Sequence, residues 1–247
     1  MAKWKMYGVD VRFCVIILLS FLCGQDLPFQ IGEKLVYNAK FNIIPSGDAS
    51  LEVIGVETIN GLETYHARFM ARTSPTLDRL YKLRDQVDIW LDKTNLFTHQ
   101  LKKNINEGNY HKKTLTTIHY DALFAIINSD TVIITGPVRD PYSLIFYLRS
   151  IPLKVGELLE FTSFENKKST PFKLAVTGKE TVKTHAGSFK CIVVKPFNQG
   201  KALLKNEGEM QIWFSDDEKR LPVQIQIKLK FGSMNLKLKE IINRKAG

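Results

Sequence analysis

Apolar and polar residues alternate along most of this chain, which is the pattern of β-strands that turn one face to a core and the other to solvent. In the first such stretch, Leu35, Tyr37 and Ala39 share one face. Turn residues interrupt the alternation, and Asn60 followed by Gly61 is a strong hairpin signal. Helical periodicity is nearly absent, and no repeat of fixed length is visible. The pattern predicts an all-β fold: a curved antiparallel sheet or half-open barrel with one or two short helices packed in its concave face.

One segment departs from this pattern: RDPYSLIFYLRS, residues 139–150, is apolar almost all the way round. Asp140 is a favourable N-cap and Pro141 suits the first helical position, while Pro152 ends a helix soon afterwards. A helix that is apolar on nearly every side must be buried or must face something apolar. We therefore predict a short helix in the concavity of the sheet.

Three interpretations of this segment are open. It can plug the sheet as ordinary core, or it can form a further strand, because a short apolar run is compatible with either structure. It can also line a cavity for a hydrophobic ligand. In that case the cavity wall is predicted to comprise Tyr142, Ile145, Phe146 and Leu148, with Arg149 next to an anionic head group of the ligand.

The first 24 residues have the features of a signal peptide. A basic start precedes the apolar run FCVIILLSFL, which is short for a membrane span, and Gly24 offers a small residue at the cleavage point. An uncleaved membrane anchor is the alternative. Cys23 raises the question of lipidation, against which the large Leu22 in front of it argues. We expect an exported protein with one antiparallel β domain over residues 25–247.

The formal net charge is +10 at pH 7, which in an exported protein favours contact with anionic surfaces over contact with nucleic acid. If residues 232–233 form a two-residue turn, Lys228 lies opposite Lys237, with Lys230 and Lys239 near them on the same face. Like charges directly opposite each other are unfavourable in a sheet. The four lysines are therefore predicted either to splay into solvent, where they also protect a sheet edge, or to contact an anionic membrane surface.

Motifs of enzyme active sites are absent from the chain. G-x-S-x-G, the Walker loop, G-x-G-x-x-G, C-x-x-C and H-E-x-x-H do not occur, and the five histidines lack the spacing of a helical metal pair. Cys191, the one cysteine after the leader, lies between apolar neighbours, as is typical of a buried inert thiol. No catalytic residue, metal site or cofactor is predicted.

Four stretches together carry a family resemblance. In order along the chain they are GEKLVYNAKFNIIPSGDASLEV, DPYSLIFYLRSIPLKVGE, GKETVKTHAGSFKCIVVKP and GEMQIWFSDDEKRLPVQIQIKLKFGSMNLKLKE. Their most specific parts are D-P-x-S, at residues 140–143, and W-x-S-D-D, at residues 213–217. They resemble the DUF3108 family of exported bacterial proteins of unknown function. The resemblance implies a Gram-negative envelope protein, in the periplasm or at the periplasmic face, and no particular activity. A curved sheet with helices in its concavity is also analogous to periplasmic lipoprotein carriers.

These observations leave three hypotheses for the function. The first is a binding or carrier module for a lipid or an acylated partner. The second is an envelope assembly or scaffolding protein with a solid core, and the third is a hydrolase with an unrecognised site. An apolar cavity on the order of several hundred Å³ would favour the first, and a filled interior the second. The sequence does not set the oligomeric state.

Overall fold

The computed structural model of the protein describes residues 27–165, 167–197, 209–229 and 232–244. The predicted signal peptide, residues 1–24, and Lys230 lie outside these described residues.

The described part of the chain contains fourteen strands and one α-helix. The strands are β1 (Glu33–Phe41), β2 (Ile44–Ile59), β3 (Leu62–Thr73), β4 (Arg84–Asp92), β5 (Thr98–Glu107), β6 (Tyr110–His119), β7 (Phe124–Ile127), β8 (Asp130–Ile133), β9 (Leu158–Glu165), β10 (Lys168–Thr184), β11 (Gly187–Phe197), β12 (Glu209–Ser215), β13 (Pro222–Leu229) and β14 (Gly232–Asn243). The helix α1 (Pro141–Ser150) lies between β8 and β9, and a short 3-10 turn (Leu77–Arg79) precedes β4.

All these strands form one antiparallel sheet that does not close into a barrel. Strands β1 to β8 form a first meander and β9 to β14 a second, and the two join where β1 pairs with β14. Asn60 and Gly61 connect β2 to β3 with φ values of 50° and 78°, as a hairpin turn with two left-handed residues requires. The edges of the sheet are therefore β8 and β9, and α1 lies in the connection between them.

The helix packs against both meanders. Phe146 belongs to the core cluster that contains Leu35 and Ile89 of the first meander, whereas Leu148 packs with Leu174 of the second. Because a helix of ten residues contacts strands from both halves, the sheet must curve around it. The predicted all-β fold with a helix in the concave face is confirmed.

The segment between β8 and α1 bridges the two edges of the sheet. The backbone N–H of Arg139 donates to the carbonyl oxygen of Thr162 in β9 (2.9 Å), and its carbonyl oxygen accepts from the N–H of Phe164 (3.0 Å). The Arg139 guanidinium donates to the carbonyl oxygen of Leu96 (2.8 Å) and lies 3.6 Å from the centre of the Tyr147 ring. Burial lowers the pKa of Arg139 to about 10. The opening between the edges is thus spanned by one anchored segment.

The two meanders share a structural repeat, so the expectation of no internal repeat is wrong. Three pairs of identical residues lie 123 positions apart: Gly55 and Gly178, Glu57 and Glu180, Trp90 and Trp213. In each half a β-bulge comes just before the glycine and another just after the tryptophan. Each indole N–H donates to the glutamate of its own half, at 2.7 Å in the first and 2.9 Å in the second. Strands β2 to β5 are therefore equivalent to β10 to β13.

Candidate functional site

The D-P-x-S motif builds the N-terminus of α1. The Asp140 carboxylate accepts from the backbone N–H groups of Tyr142 (2.8 Å) and Ser143 (3.2 Å), and the Ser143 hydroxyl accepts from the Asp140 N–H (3.0 Å). This reciprocal capping box, with Pro141 in the first turn, confirms the predicted helix start. The other Asp140 oxygen accepts from the Thr98 hydroxyl of β5, which ties the helix to the first meander.

A cavity of about 560 Å³ lies between α1 and the concave face of the second meander. The helix contributes mainly Leu144, Ile145 and Leu148 to its wall. The strands contribute apolar side chains because alternate residues of a strand point to the same face; they include Phe161, Phe172, Leu174, Met210 and Ile212. The exposed side chains of Glu165 and Lys168 lie at its rim. The cavity thus combines an apolar interior with charged groups at the rim.

The structure does not bring the four predicted wall residues and Arg149 together around one cavity. Ile145 and Leu148 line the cavity. Tyr142 lines a different cavity, against the first meander. Phe146 lies in the core, and Arg149 is fully buried.

The Arg149 side chain connects three segments at the C-terminal end of α1. Its guanidinium donates to the two carboxylate oxygens of Glu33 (2.6 and 3.1 Å) and to the carbonyl oxygens of Pro28 (2.7 Å) and Lys219 (3.2 Å). The Arg149 side chain has no exposed surface, and the Glu33 side chain is 7% exposed. Arg149 therefore holds the protein together and is not placed to meet a ligand in the cavity. Among the described residues that line the cavity, Lys168 is the exposed cation at the rim.

Sequence reasoning missed the strand side of the cavity. Phe161, Phe172 and Leu174 occupy alternate strand positions, and core residues have the same pattern. The one usable signal was the clustering of aromatic residues on the paired strands β9 and β10, where Phe161 lies directly opposite Phe172.

Tyr37 lies close enough to the buried ion pair for both charges to act on it. Its side chain is 2% exposed, and its hydroxyl has no hydrogen-bond partner within the described residues. Burial raises the pKa of Tyr37, and the positive charge of Arg149 offsets only part of that effect. The hydroxyl therefore loses its hydration on folding without gaining a hydrogen bond.

We expect Tyr37→Phe to leave the free energy of unfolding unchanged or to raise it by up to about 1 kcal/mol, because it removes an unpaired buried hydroxyl. Tyr120→Phe is the matched control, since the Tyr120 hydroxyl donates to the carbonyl oxygen of Thr98 (2.8 Å). This variant should lower the free energy of unfolding by about 1 kcal/mol. Urea unfolding followed by tryptophan fluorescence measures both. Equal losses at the two positions would show that the Tyr37 hydroxyl has a partner.

A second cavity, of about 690 Å³, lies on the other side of α1 against the concave face of the first meander. Burial raises the pKa of Glu107 in its wall, and the neighbouring Asp85 carboxylate adds to the effect. A carboxyl group with a raised pKa is suited to general acid catalysis. Among the described residues, however, no histidine, cysteine or serine lines this cavity, so it assigns no reaction.

The lysines of the predicted anionic surface do not form one row. Leu229 pairs with Gly232, which places Lys228 opposite Ser233. The predicted pairing of Lys228 with Lys237 is therefore wrong by four residues along β14. The two faces of the hairpin are as predicted, because a shift by an even number of residues keeps every side chain on its face.

The described members of this lysine set have different surroundings. Lys239 is the extra residue of a β-bulge in β14, and its ammonium group lies 3.9 Å from the Asp48 carboxylate. Lys237 lies opposite Gln224 on the face of the sheet away from α1, where it lines a groove. Lys228 is exposed.

The W-x-S-D-D motif shapes the turn between β12 and β13. The Ser215 hydroxyl accepts from the N–H of Leu221 (2.7 Å), and the Asp217 carboxylate accepts from the N–H groups of Lys219 (3.0 Å) and Arg220 (3.1 Å). These are turn-forming bonds of a kind that aspartate and serine commonly make. Both motifs that carry the family resemblance thus have structural roles.

His66 lies between two carboxylates on the outer face of the first meander. Its Nδ1 is 2.7 Å from Glu57 and its Nε2 is 2.9 Å from Asp88, and its ring stacks on Trp90. The hydrogen bond from Trp90, followed by that from His66, lowers the pKa of Glu57. Burial acts to raise the pKa of Asp88, but hydrogen bonds from its neighbours outweigh it and lower that pKa. The cluster is a paired and mostly buried network.

Within the described ranges, none of the helices has the length and apolar character needed to span a bilayer. The same ranges contain no group of three or more histidine, cysteine or acidic side chains that could hold a metal ion.

These features define the class of protein: an open, β-barrel-like antiparallel sheet wrapped around one helix, with an apolar cavity beside that helix. The family model of DUF3108, described as a protein of unknown function, matches residues 36–239. The chain therefore belongs to the DUF3108 family.

One solved structure supports the fold. A β-barrel-like DUF1849 protein from Brucella abortus is similar with a TM-score of 0.59 and 11% identity, over 87% of this chain and 98% of that chain. Two further structures, both with provisional descriptions, also match. One is described as a lipoprotein from Parabacteroides distasonis (TM-score 0.38, 14% identity, 87% of this chain and 98% of that chain). The other is an exported protein with a YmcC-like fold from Bacteroides fragilis (TM-score 0.35, 14% identity, 89% and 99%). The last two superpose too loosely to carry an argument. A comparison with curated proteins found no match.

Proposed function

We propose that this protein binds a hydrophobic ligand, a lipid or an acylated partner, in the cavity between α1 and the second meander, and acts as a carrier or binding module of the cell envelope. The observation that carries the proposal is the cavity itself. Its volume of about 560 Å³ lies within the range of roughly 300–1,000 Å³ that is typical of ligand sites. A scaffolding protein with a filled interior has no need of this space.

The chemistry of the wall supports an acyl chain as the bound group. Aliphatic and aromatic side chains of α1 and of β9 to β12 form most of the surface, and the charged groups Glu165 and Lys168 are at the rim. A chain in the cavity would leave water, which is favourable, while a polar head would stay at the rim. Lys168 is the residue we propose to meet an anionic head group.

The proposed location is outside the cytoplasm, in the periplasm or at the periplasmic face of a Gram-negative envelope. The features of a signal peptide in residues 1–24 support export. In that compartment a lipid carrier has to shield acyl chains from water between two membranes, and the apolar wall of this cavity is suited to that task.

Native mass spectrometry of the protein purified from its own envelope tests this proposal. We expect species heavier than the polypeptide by a lipid-sized mass that organic extraction removes. The extracted protein should then bind 11-dansylaminoundecanoic acid with a blue shift of the dansyl emission. A protein that carries no such mass and does not bind the probe would favour the scaffolding alternative.

A further inference from the structure

The outer face of β13, β14 and β1, away from α1, carries a groove of about 620 Å³. The turn between β10 and β11 folds over this face and forms one wall: Nδ1 of His185 in that turn lies 3.1 Å from Nδ2 of Asn38 in β1. The other wall is the sheet itself, through Gln224, Asn235 and Lys237. Elements distant in sequence thus build one concave site.

The groove is positively charged. Lys40, Lys183 and Lys237 line it, and none of its lining residues within the described ranges is a carboxylate. These three lysines have no ion-pair partner among the described residues. Asp48 lies opposite the groove residue Asn38 in the sheet, but its carboxylate forms ion pairs with Arg72 and Lys239. The charge of the groove is therefore not neutralised by the fold.

One amide in the groove lacks a partner. Gln224 is only 8% exposed, lines the groove, and has no side-chain hydrogen bond within the described residues. Its neighbours Gln226 and Asn235 are bonded to each other at 2.9 Å. Gln224 is mostly buried, but both atoms of its amide keep access to the groove, so the amide is available to a ligand that enters there.

We propose that this groove binds a phosphorylated saccharide, because three ammonium groups without an ion-pair partner among the described residues line it together with amide side chains, and the amide of Gln224 is open to the groove without a hydrogen-bond partner among those residues. Ammonium groups form strong charge-assisted hydrogen bonds with phosphate oxygens. Amides supply both donors and acceptors, which is what sugar hydroxyl groups require. The ligand can be a free sugar phosphate or the head group of a phosphorylated glycolipid.

This site is independent of the proposed acyl cavity. Gln224 and Lys237 point away from α1, whereas their strand neighbours Ile225 and Leu238 pack toward the core. Binding to the groove and binding of the dansyl probe in the cavity can therefore be lost separately.

Isothermal titration calorimetry with trehalose 6-phosphate, and with trehalose as the neutral comparison, tests the free-ligand form. Flotation with phosphatidylcholine vesicles that contain diphosphoryl lipid A tests the head-group form, with phosphatidylglycerol vesicles as an anionic surface without sugar. Binding of the phosphorylated sugar in either arm supports the proposal, and the arm that responds identifies the source. Binding in neither arm overturns it.

Two variants separate a built site from general charge attraction. Lys40→Gln, Lys183→Gln and Lys237→Gln combined should weaken binding by at least about tenfold, since charge-assisted hydrogen bonds are lost. The control replaces the exposed Lys102, Lys113 and Lys154 with Gln and should change affinity by no more than about twofold, because distant exposed charges are screened.

Gln224→Leu removes the amide that is open to the groove without changing the charge. It should fold normally and weaken binding by about fivefold or more, the loss expected for one hydrogen bond. The proposal is overturned if Gln224→Leu binds like the wild type, or if the control triple variant loses as much affinity as the groove variant.

Discussion

Glu33→Ala is expected to destabilise the protein by about 3–5 kcal/mol, the largest effect we expect from a single ion pair in this fold, because it leaves the buried Arg149 guanidinium without a counter-charge. The guanidinium has no exposed surface. Its remaining partners, the carbonyl oxygens of Pro28 and Lys219, carry only partial charge. Urea unfolding and the Tm of the folded protein measure the loss.

A surface ion pair provides the control. Glu160 pairs with Lys173, and their side chains are 64% and 37% exposed. Glu160→Ala should lower the free energy of unfolding by less than about 1 kcal/mol, because exposed ion pairs contribute little to stability. The combined variant Glu33→Leu with Arg149→Met should recover much of the loss, because replacing both members of a buried pair by apolar groups is often neutral. Equal effects of Glu33→Ala and Glu160→Ala would contradict the assignment of Arg149 as a buried anchor.

The start of α1 was predictable because its causes are local. Asp140 and Pro141 are adjacent, and a cap and the first helical position are defined within a few residues. The partner of Arg149 was not predictable because Glu33 is 116 residues away. From the sequence, an arginine in an apolar helix can either contact a ligand or form a buried ion pair, and only the packed fold distinguishes these two roles.

The register of the last hairpin was not predictable for a different reason. Alternation assigns faces, but it is unchanged by a shift of two or four residues. Lys228 therefore stays on the correct face while its partner changes from Lys237 to Ser233. Similarly, the internal repeat was not predicted, because the β2–β3 and β10–β11 hairpins differ in length. Gly55 faces His66 in the first half, whereas Gly178 faces Val193 in the second.

The cavity was the hardest feature to predict. A plug and a cavity wall need the same apolar residues, and only volume distinguishes them. Leu148 lies at once in a core cluster and in the cavity wall. The sequence therefore predicts an apolar helix inside a curved sheet, but it does not determine whether side chains fill the space beside the helix.

Leu144→Trp is expected to abolish most ligand binding, with a loss of affinity for 11-dansylaminoundecanoic acid of at least about tenfold, or 1.4 kcal/mol. Leu144 is half-buried on the helix and lines the cavity. The indole would occupy space that the acyl chain needs, and because the space is open the variant should avoid the cost of about 1–3 kcal/mol for overfilling a packed core. Fluorescence titration of the extracted protein measures the affinity.

Tyr142→Trp is the matched control, since Tyr142 lies on the same helix but lines the cavity of the first meander. It should bind the probe with an affinity within about twofold of the wild type, because a contact that is not made in the complex contributes nothing to binding. A Leu144→Trp protein that is folded by circular dichroism and binds the probe normally would place the ligand elsewhere. Loss of binding in both variants would instead point to a general effect on the helix, whereas loss in Leu144→Trp alone ties the acyl chain to the space between α1 and the second meander.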